Sequence, residues 1–137
     1  MNNVFTYGSL MYPQIFEAVA GQAFEHKSAT LLNWRRYQLQ DETYPAATPY
    51  RGTQIKGVVW FNVSEESLKR LDIFETDSYA REQVEIHTQD QTLHTAYIYR
   101  WLDLTRLRHE DWSTQTFETQ HLMQFFEIHD KVSRRAC

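Results

Sequence analysis

The stretch Val-Phe-Thr-Tyr-Gly-Ser-Leu-Met, at positions 4–11, constrains this chain more than any other. Val4 to Tyr7 are apolar, β-branched or aromatic and predict a short N-terminal strand. The pattern stops at Gly8, and Gly-Ser-Leu leads through Met11, Tyr12 and Pro13 into a segment with a helical pattern. A glycine at that stop can take a positive φ and lets another group come close to the backbone. Such a turn can leave the N–H groups of Gly8, Ser9 and Leu10 unpaired and pointing one way, a small nest for a carboxylate or an oxyanion. The same residues also suit an ordinary turn after an edge strand, and local chemistry leaves both readings open.

What that strand can join is bounded by size. With 137 residues, 42% hydrophobic and 15% aromatic, the chain is expected to form one domain with a real core. The domain is placed at residues 1–130, followed by a basic, frayed tail at 131–137. A net charge of −4, with no basic stretch interleaved with aromatics, argues against nucleic acid as a partner. The single cysteine is Cys137, the last residue, so a disulfide framework is excluded. No signal-peptide pattern and no membrane-spanning apolar run is visible, and a cytoplasmic protein is the expectation. The six histidines show no metal-ligand spacing, His87 and His94 falling in strand-like stretches, so no metal is expected.

The elements follow in order. Pro13 fits the first turn of a helix over 14–20, with Ile15, Phe16 and Val19 turned inward and Gly21 at its end. Residues 29–40 read as a long strand with Leu31, Trp34 and Tyr37 as its bulky members. Residues 41–53 hold Pro45, Pro49 and Gly52 and read as a loop, because two prolines and a glycine oppose a regular central strand. Residues 55–63 form a clear strand, in which Gly57 marks a bend or a close backbone approach. Ser64 is a good N-cap, with Glu65 and Glu66 at the positive end of a helix that runs to about Glu75. Residues 79–88 and 92–101 read as two strands joined by a tight turn. Residues 110–129 carry a helical pattern. The order of elements predicts an α+β domain, and a small closed or half-closed barrel accommodates the strands.

The second informative stretch is Leu-Lys-Arg-Leu-Asp-Ile-Phe-Glu at 68–75. At about 100° per residue, Leu68, Leu71, Asp72 and Glu75 share one helix face, and the leucines mark it as the inner one. Two carboxylates thus lie on or beside an apolar stripe near the helix C-terminus, where the dipole disfavours negative charge. Burial, the dipole and the neighbouring carboxylate all raise proton affinity, which makes Glu75 a candidate general acid or base near neutral pH. The alternative is that both acids fan to the rim and pair with Arg70, Arg81 or Arg51, or that Asp72 holds loop N–H groups. Tyr79 and Arg81 either line the cleft that Glu75 faces or serve as ordinary strand residues. Tyr97 and Tyr99, two apart, share a sheet face.

Phe-Thr-Tyr-Gly-Ser-Leu at 5–10, Gly57 in its apolar strand, and Leu71-Asp72-Ile-Phe-Glu75 followed by Tyr79-Ala-Arg81 together resemble the γ-glutamylcyclotransferase-like superfamily. That group includes the γ-glutamylamine cyclotransferases and the avirulence-induced-gene-like proteins. The resemblance covers roughly residues 3–101, and Tyr44-Pro45-Ala46 falls where such proteins often carry a proline-bearing segment. It implies a small mixed β-barrel flanked by a few helices, with a cavity at one mouth. It implies that Tyr7, Gly8, Ser9 and Leu10 line that cavity, that their backbone N–H groups hold the substrate's α-carboxylate, and that Glu75 is the catalytic acid/base. Tyr79 and Arg81 complete the implied substrate-binding set.

The implied reaction starts from a γ-glutamyl amine or amino acid, whose own α-amine attacks its γ-carbonyl and releases 5-oxoproline. It calls for no cofactor, because the nucleophile belongs to the substrate. Three alternatives stand beside it: a non-catalytic binder of small metabolites, an amide hydrolase in which Glu75 activates water, and an interaction module built on the 110–129 helix. The leaving amine and the oligomeric state are not encoded in any motif.

Overall fold

The opening stretch becomes a central strand, with partners on both sides. In the computed structural model, which describes residues 2–40, 42 and 44–118, β1 (Asn2–Thr6) runs antiparallel to β3 (Pro45–Val63), Thr6 facing Val58. On its other side β1 runs parallel to β5 (Leu93–Trp101), Val4 facing Tyr97. β5 pairs antiparallel with β4 (Tyr79–Thr88), and β4 meets β2 (His26–Leu39) at Ala29 and Thr30. β2 runs antiparallel to β3 and closes the ring. The chain is therefore a closed five-strand mixed barrel with two flanking helices, α1 (Pro13–Ala20) and α2 (Glu65–Glu75), the α+β class that the element order predicts. A further strand, β6 (Leu107–Asp111), extends the outer end of β2.

Both faces of β1 are covered, which is why its neighbours Val4 and Phe5, on opposite faces, are both apolar. Phe5 and Tyr7 point into the barrel with Ile55, Val59, Ile86 and Ile98. Val4 points outward, where Trp60 and Val63 of β3 meet Ile15 and Phe16 of α1 and Leu68 and Leu71 of α2. Period-two alternation thus divides one strand between two cores. Phe16 stacks on Trp60 with ring centroids 4.0 Å apart. Buried Thr6 is satisfied on both sides: it accepts from Trp60 Nε1 at 3.0 Å and donates to the Val58 carbonyl at 3.0 Å.

The helix boundaries fall where the sequence puts them. Pro13 opens α1, and Gly21 ends it with φ 88° while its N–H donates to the Glu17 carbonyl at 2.9 Å. Ser64 caps α2 by accepting from the Ser67 N–H at 3.2 Å. No helix among the described residues is long and apolar enough to cross a membrane.

Two expectations are corrected. Residues 45–53 are strand, not loop: Pro45 faces Gln38 and Pro49 faces Trp34. Among the described residues β1 pairs with β3 only over residues 58–63, so the proline-bearing half has β2 as its one ladder partner and a missing N–H leaves no ladder bond unmade on the other side. The register slips opposite Asn33, where residues 50–53 bulge out and the Gly52 N–H, at φ 90°, donates to Asn33 Oδ1. The helix expected from residue 110 is also displaced: residues 110 and 111 belong to β6, and α3 (Thr114–Thr116) begins later. β6 has no apolar alternation of its own. It is held by pairing, Leu107 with Leu39 and Asp111 with Tyr37, and by a 2.8 Å ion pair between Arg35 and Asp111. Residues 119–129 of the expected helix and the 131–137 tail lie outside the described residues.

Candidate functional site

Beyond the end of β1 the barrel and α2 leave a cavity of about 220 Å³. Residues 5–10 form one wall, Phe74, Glu75 and Thr76 at the end of α2 another. Tyr44, Pro45, Ser78, Tyr79 and Tyr99 complete it.

After β1 the backbone tightens into a single turn at Ser9–Met11, in which Met11 N–H donates to the Gly8 carbonyl at 3.0 Å and Tyr12 N–H to the Ser9 carbonyl at 3.3 Å. The first N–H groups of such a turn have no partner within it. Among the described residues, no protein acceptor takes the N–H of Gly8, Ser9 or Leu10. Gly8 does not use the positive φ open to it, since its φ is −133°. What it supplies is space, because a Cβ there would sit 2.7 Å from Cδ of Pro45.

Across the cavity stands Glu75, the last residue of α2. Among the described residues no hydrogen bond or ion pair engages its carboxylate. Burial pushes its carboxyl up to about 8. Burial is the cause; the expected push from Asp72 is absent, because that side chain turns aside to accept from the Tyr99 hydroxyl at 2.7 Å and to pair with Arg81 Nε at 3.3 Å. Tyr7, Tyr44, Tyr79 and Tyr99 surround the acid. Tyr7 donates to the Tyr99 carbonyl at 2.5 Å, Tyr79 to the Pro45 carbonyl at 2.9 Å, and Tyr99 to Asp72. Burial raises all four phenols above their ordinary value, so they remain neutral beside Glu75.

The structure thus brings together Tyr7, Gly8, Ser9, Leu10, Glu75 and Tyr79 around one hollow. It does not bring Arg81 there. The Arg81 guanidinium lies 4.6 Å from the centre of the Tyr97 ring and is drawn to Asp72, outside the cavity lining. Of the tyrosine pair on β5, Tyr99 reaches the cavity and Tyr97 carries the arginine. Phe74, Thr76 and Ser78 were not singled out by sequence, though their adjacence to Glu75 was the available signal. Arg36 was also missed: its Nη1 donates to the Tyr7 carbonyl at 2.8 Å and braces the turn from β2. That contact spans 29 positions, and no local pattern announces it.

The position of Glu75 has a thermodynamic consequence. Between the ordinary carboxylate range and about 8 the unfolded chain has released this proton while the folded chain still holds it. The folded state binds the extra proton, so stability falls as pH rises through that window; below it both states are protonated and the penalty vanishes. Melting temperatures of the parent and Glu75→Gln should therefore diverge from about pH 5 to about pH 8, the glutamine variant gaining toward the alkaline end. A constant offset across that range would mean that the folded carboxyl is already ionised.

The model of a family described as gamma-glutamyl cyclotransferase, AIG2-like, matches residues 4–114. AIG2-like protein D of Arabidopsis thaliana is 29% identical over 132 residues, covering 93% of this chain and 86% of that one. An Arabidopsis thaliana protein solved in solution superimposes with a TM-score of 0.74 at 25% identity, over 96% of this chain and 81% of its own. A structure named gamma-glutamyl cyclotransferase shares the fold, with a TM-score of 0.62 at 18% identity over 78% of this chain and 68% of that one.

Proposed function

The chain belongs to the gamma-glutamyl cyclotransferase, AIG2-like family, and we propose that it cyclises a γ-glutamyl amine or amino acid, releasing 5-oxoproline and the free amine. The observation that carries this reading is the meeting of Glu75 and the unpaired residue 8–10 amides on one cavity. The amides hold the substrate's α-carboxylate. That places the α-nitrogen and the γ-carbonyl of the same molecule in the hollow below Glu75.

The α-nitrogen arrives as an ammonium and must lose a proton before it can attack. Glu75 takes it. The α-nitrogen then bonds to the γ-carbonyl carbon and the old amide C–N bond breaks as Glu75 delivers that proton to the departing nitrogen; the second proton, which the α-nitrogen sheds on becoming the lactam N–H, passes through the same carboxylate to the amine, which leaves as an ammonium. A carboxyl that titrates near 8 exchanges protons in both directions at neutral pH. Ring closure is already intramolecular in the free substrate, so what the cavity contributes is to hold the glutamyl chain folded with its reacting atoms together. The apolar and aromatic wall of Phe5, Leu10, Phe74 and Tyr99 limits water, which favours the lactam over hydrolysis.

The test is incubation of the protein with a panel of γ-glutamyl amides and γ-glutamyl amino acids, with chromatographic detection of products. Release of 5-oxoproline in equal measure with the amine is the expected result. Release of glutamate would replace the reading with amide hydrolysis. Saturable binding without turnover would replace it with a non-catalytic metabolite binder.

A further inference from the structure

Asp72 stands one helical turn before Glu75 and shares its face, yet its carboxylate serves the scaffold. The apolar contacts of Leu68, Leu71 and Phe74 press α2 onto its neighbours, but contacts of that kind have no direction and leave rotation of the last turn unfixed. Asp72 supplies direction. Its Oδ1 accepts from the Tyr99 hydroxyl of β5 at 2.7 Å and meets Arg81 Nε of β4 at 3.3 Å. The main-chain carbonyl of the same Tyr99 accepts from Tyr7, the residue just before Gly8. A continuous path thus runs round the cavity, from Glu75 along α2 to Asp72, across to Tyr99, and on through Tyr7 to the residue 8–10 amides. The chain leaves α2 at once: Thr76 has φ 65°, uncommon for a β-branched residue, and its N–H donates back to the Asp72 carbonyl at 3.1 Å. The turn that bears Glu75 is therefore an end turn, anchored at Asp72.

We infer that the Asp72–Tyr99 pair, backed by Arg81, is a positioning strut that sets Glu75 at its distance and angle from the residue 8–10 amides. What that spacing serves rests on the cyclisation reading above. The strut also gives Arg81 a role: it orients Asp72 and leaves the substrate alone.

Tyr99→Phe is the informative variant, because it keeps the ring in the cavity wall and the charge on Asp72 and removes only the hydroxyl. Its kcat should fall by about tenfold to a hundredfold while KM stays close to the parent value, the signature of misplaced catalytic geometry. Asp72→Asn, which keeps an acceptor for Tyr99 but loses the ion pair, should show a smaller fall of the same kind. The double variant should be no worse than Tyr99→Phe alone, since both changes cut one link.

A second readout needs no turnover. Carbon-13 NMR of the labelled Glu75 carboxyl follows its titration directly. The charged and titratable groups around it are the phenols of Tyr7, Tyr44, Tyr79 and Tyr99, with Asp72 behind Tyr99. The phenols remain neutral and Asp72 is untouched in Tyr99→Phe, so a midpoint falling from about 8 toward the ordinary carboxylate range reports displacement into water. An unchanged kcat with an unchanged midpoint would overturn the strut. A parent protein that makes no 5-oxoproline would overturn the cyclisation reading, while the Tyr99→Phe midpoint would still decide for or against the strut.

Discussion

Glu75→Gln should fold, bind its γ-glutamyl substrate and release 5-oxoproline at least about a hundredfold more slowly than the parent, the usual scale for removing a general acid or base. Glutamine preserves the shape of the side chain and can still hydrogen bond, but it cannot take up or return a proton. The fold should persist because no hydrogen bond or ion pair among the described residues depends on this carboxylate. The parent's kcat/KM should rise with pH toward about 8, as Glu75 becomes free to accept the first proton. That limb should vanish in the variant. Undiminished 5-oxoproline release by Glu75→Gln would remove the acid from its assigned role and leave the cavity as a binding site.

Gly57→Ala should act on stability with comparable force. A Cβ at position 57 would lie 2.2 Å from the Thr6 carbonyl oxygen and 2.8 Å from Cζ of Phe5. The first of these is backbone in the central strand and cannot rotate away, and the second is a fully buried ring. Overpacking of this kind costs about 3 kcal/mol, which for a domain of this size lowers the melting temperature by about 10 °C or more. The displaced strand is the one that delivers Gly8 to Leu10, so surviving folded protein should also bind substrate more weakly. A melting temperature within about 2 °C of the parent would mean that β1 and β3 can part without cost. Gly52→Ala tests a different principle, since nothing lies within 4 Å of its Cβ position and only its φ of 90° resists substitution.

The parts of this molecule that were legible in the sequence are those in which one residue's chemistry decides one local event. Pro13, Gly21 and Ser64 mark helix ends because capping is a property of a few neighbouring atoms. Phe5 and Val4 alternate because a strand has no other choice. The carboxylate face of α2 follows from helical geometry. What escaped was set by partners distant in the chain. Pro45 and Pro49 are strand residues because β1 is too short to cover that half of β3, a fact about another segment's length. β6 is a strand because β2 offers it an edge. For Arg81 two readings stood open, a place at the cleft beside Tyr79 or an ion pair with an acid of α2, and only the folded chain shows that Asp72 claims it. The same long-range reach explains Tyr99: only the closed ring shows which of two tyrosines looks into the hollow.

The seam of that ring has a consequence for how the protein comes into being. The first strand is made first, yet the hydrogen bond from Tyr7 to Tyr99 joins positions 92 apart. A growing polypeptide emerging from the ribosome therefore carries the turn at residues 8–10 long before it owns the far wall. In any such fragment Glu75 would be an ordinary, solvated, acidic side chain. Contacts of this sequence separation delay folding, and the raised carboxyl of Glu75 exists only once burial is complete, so its alkaline titration is a signature of the closed cavity.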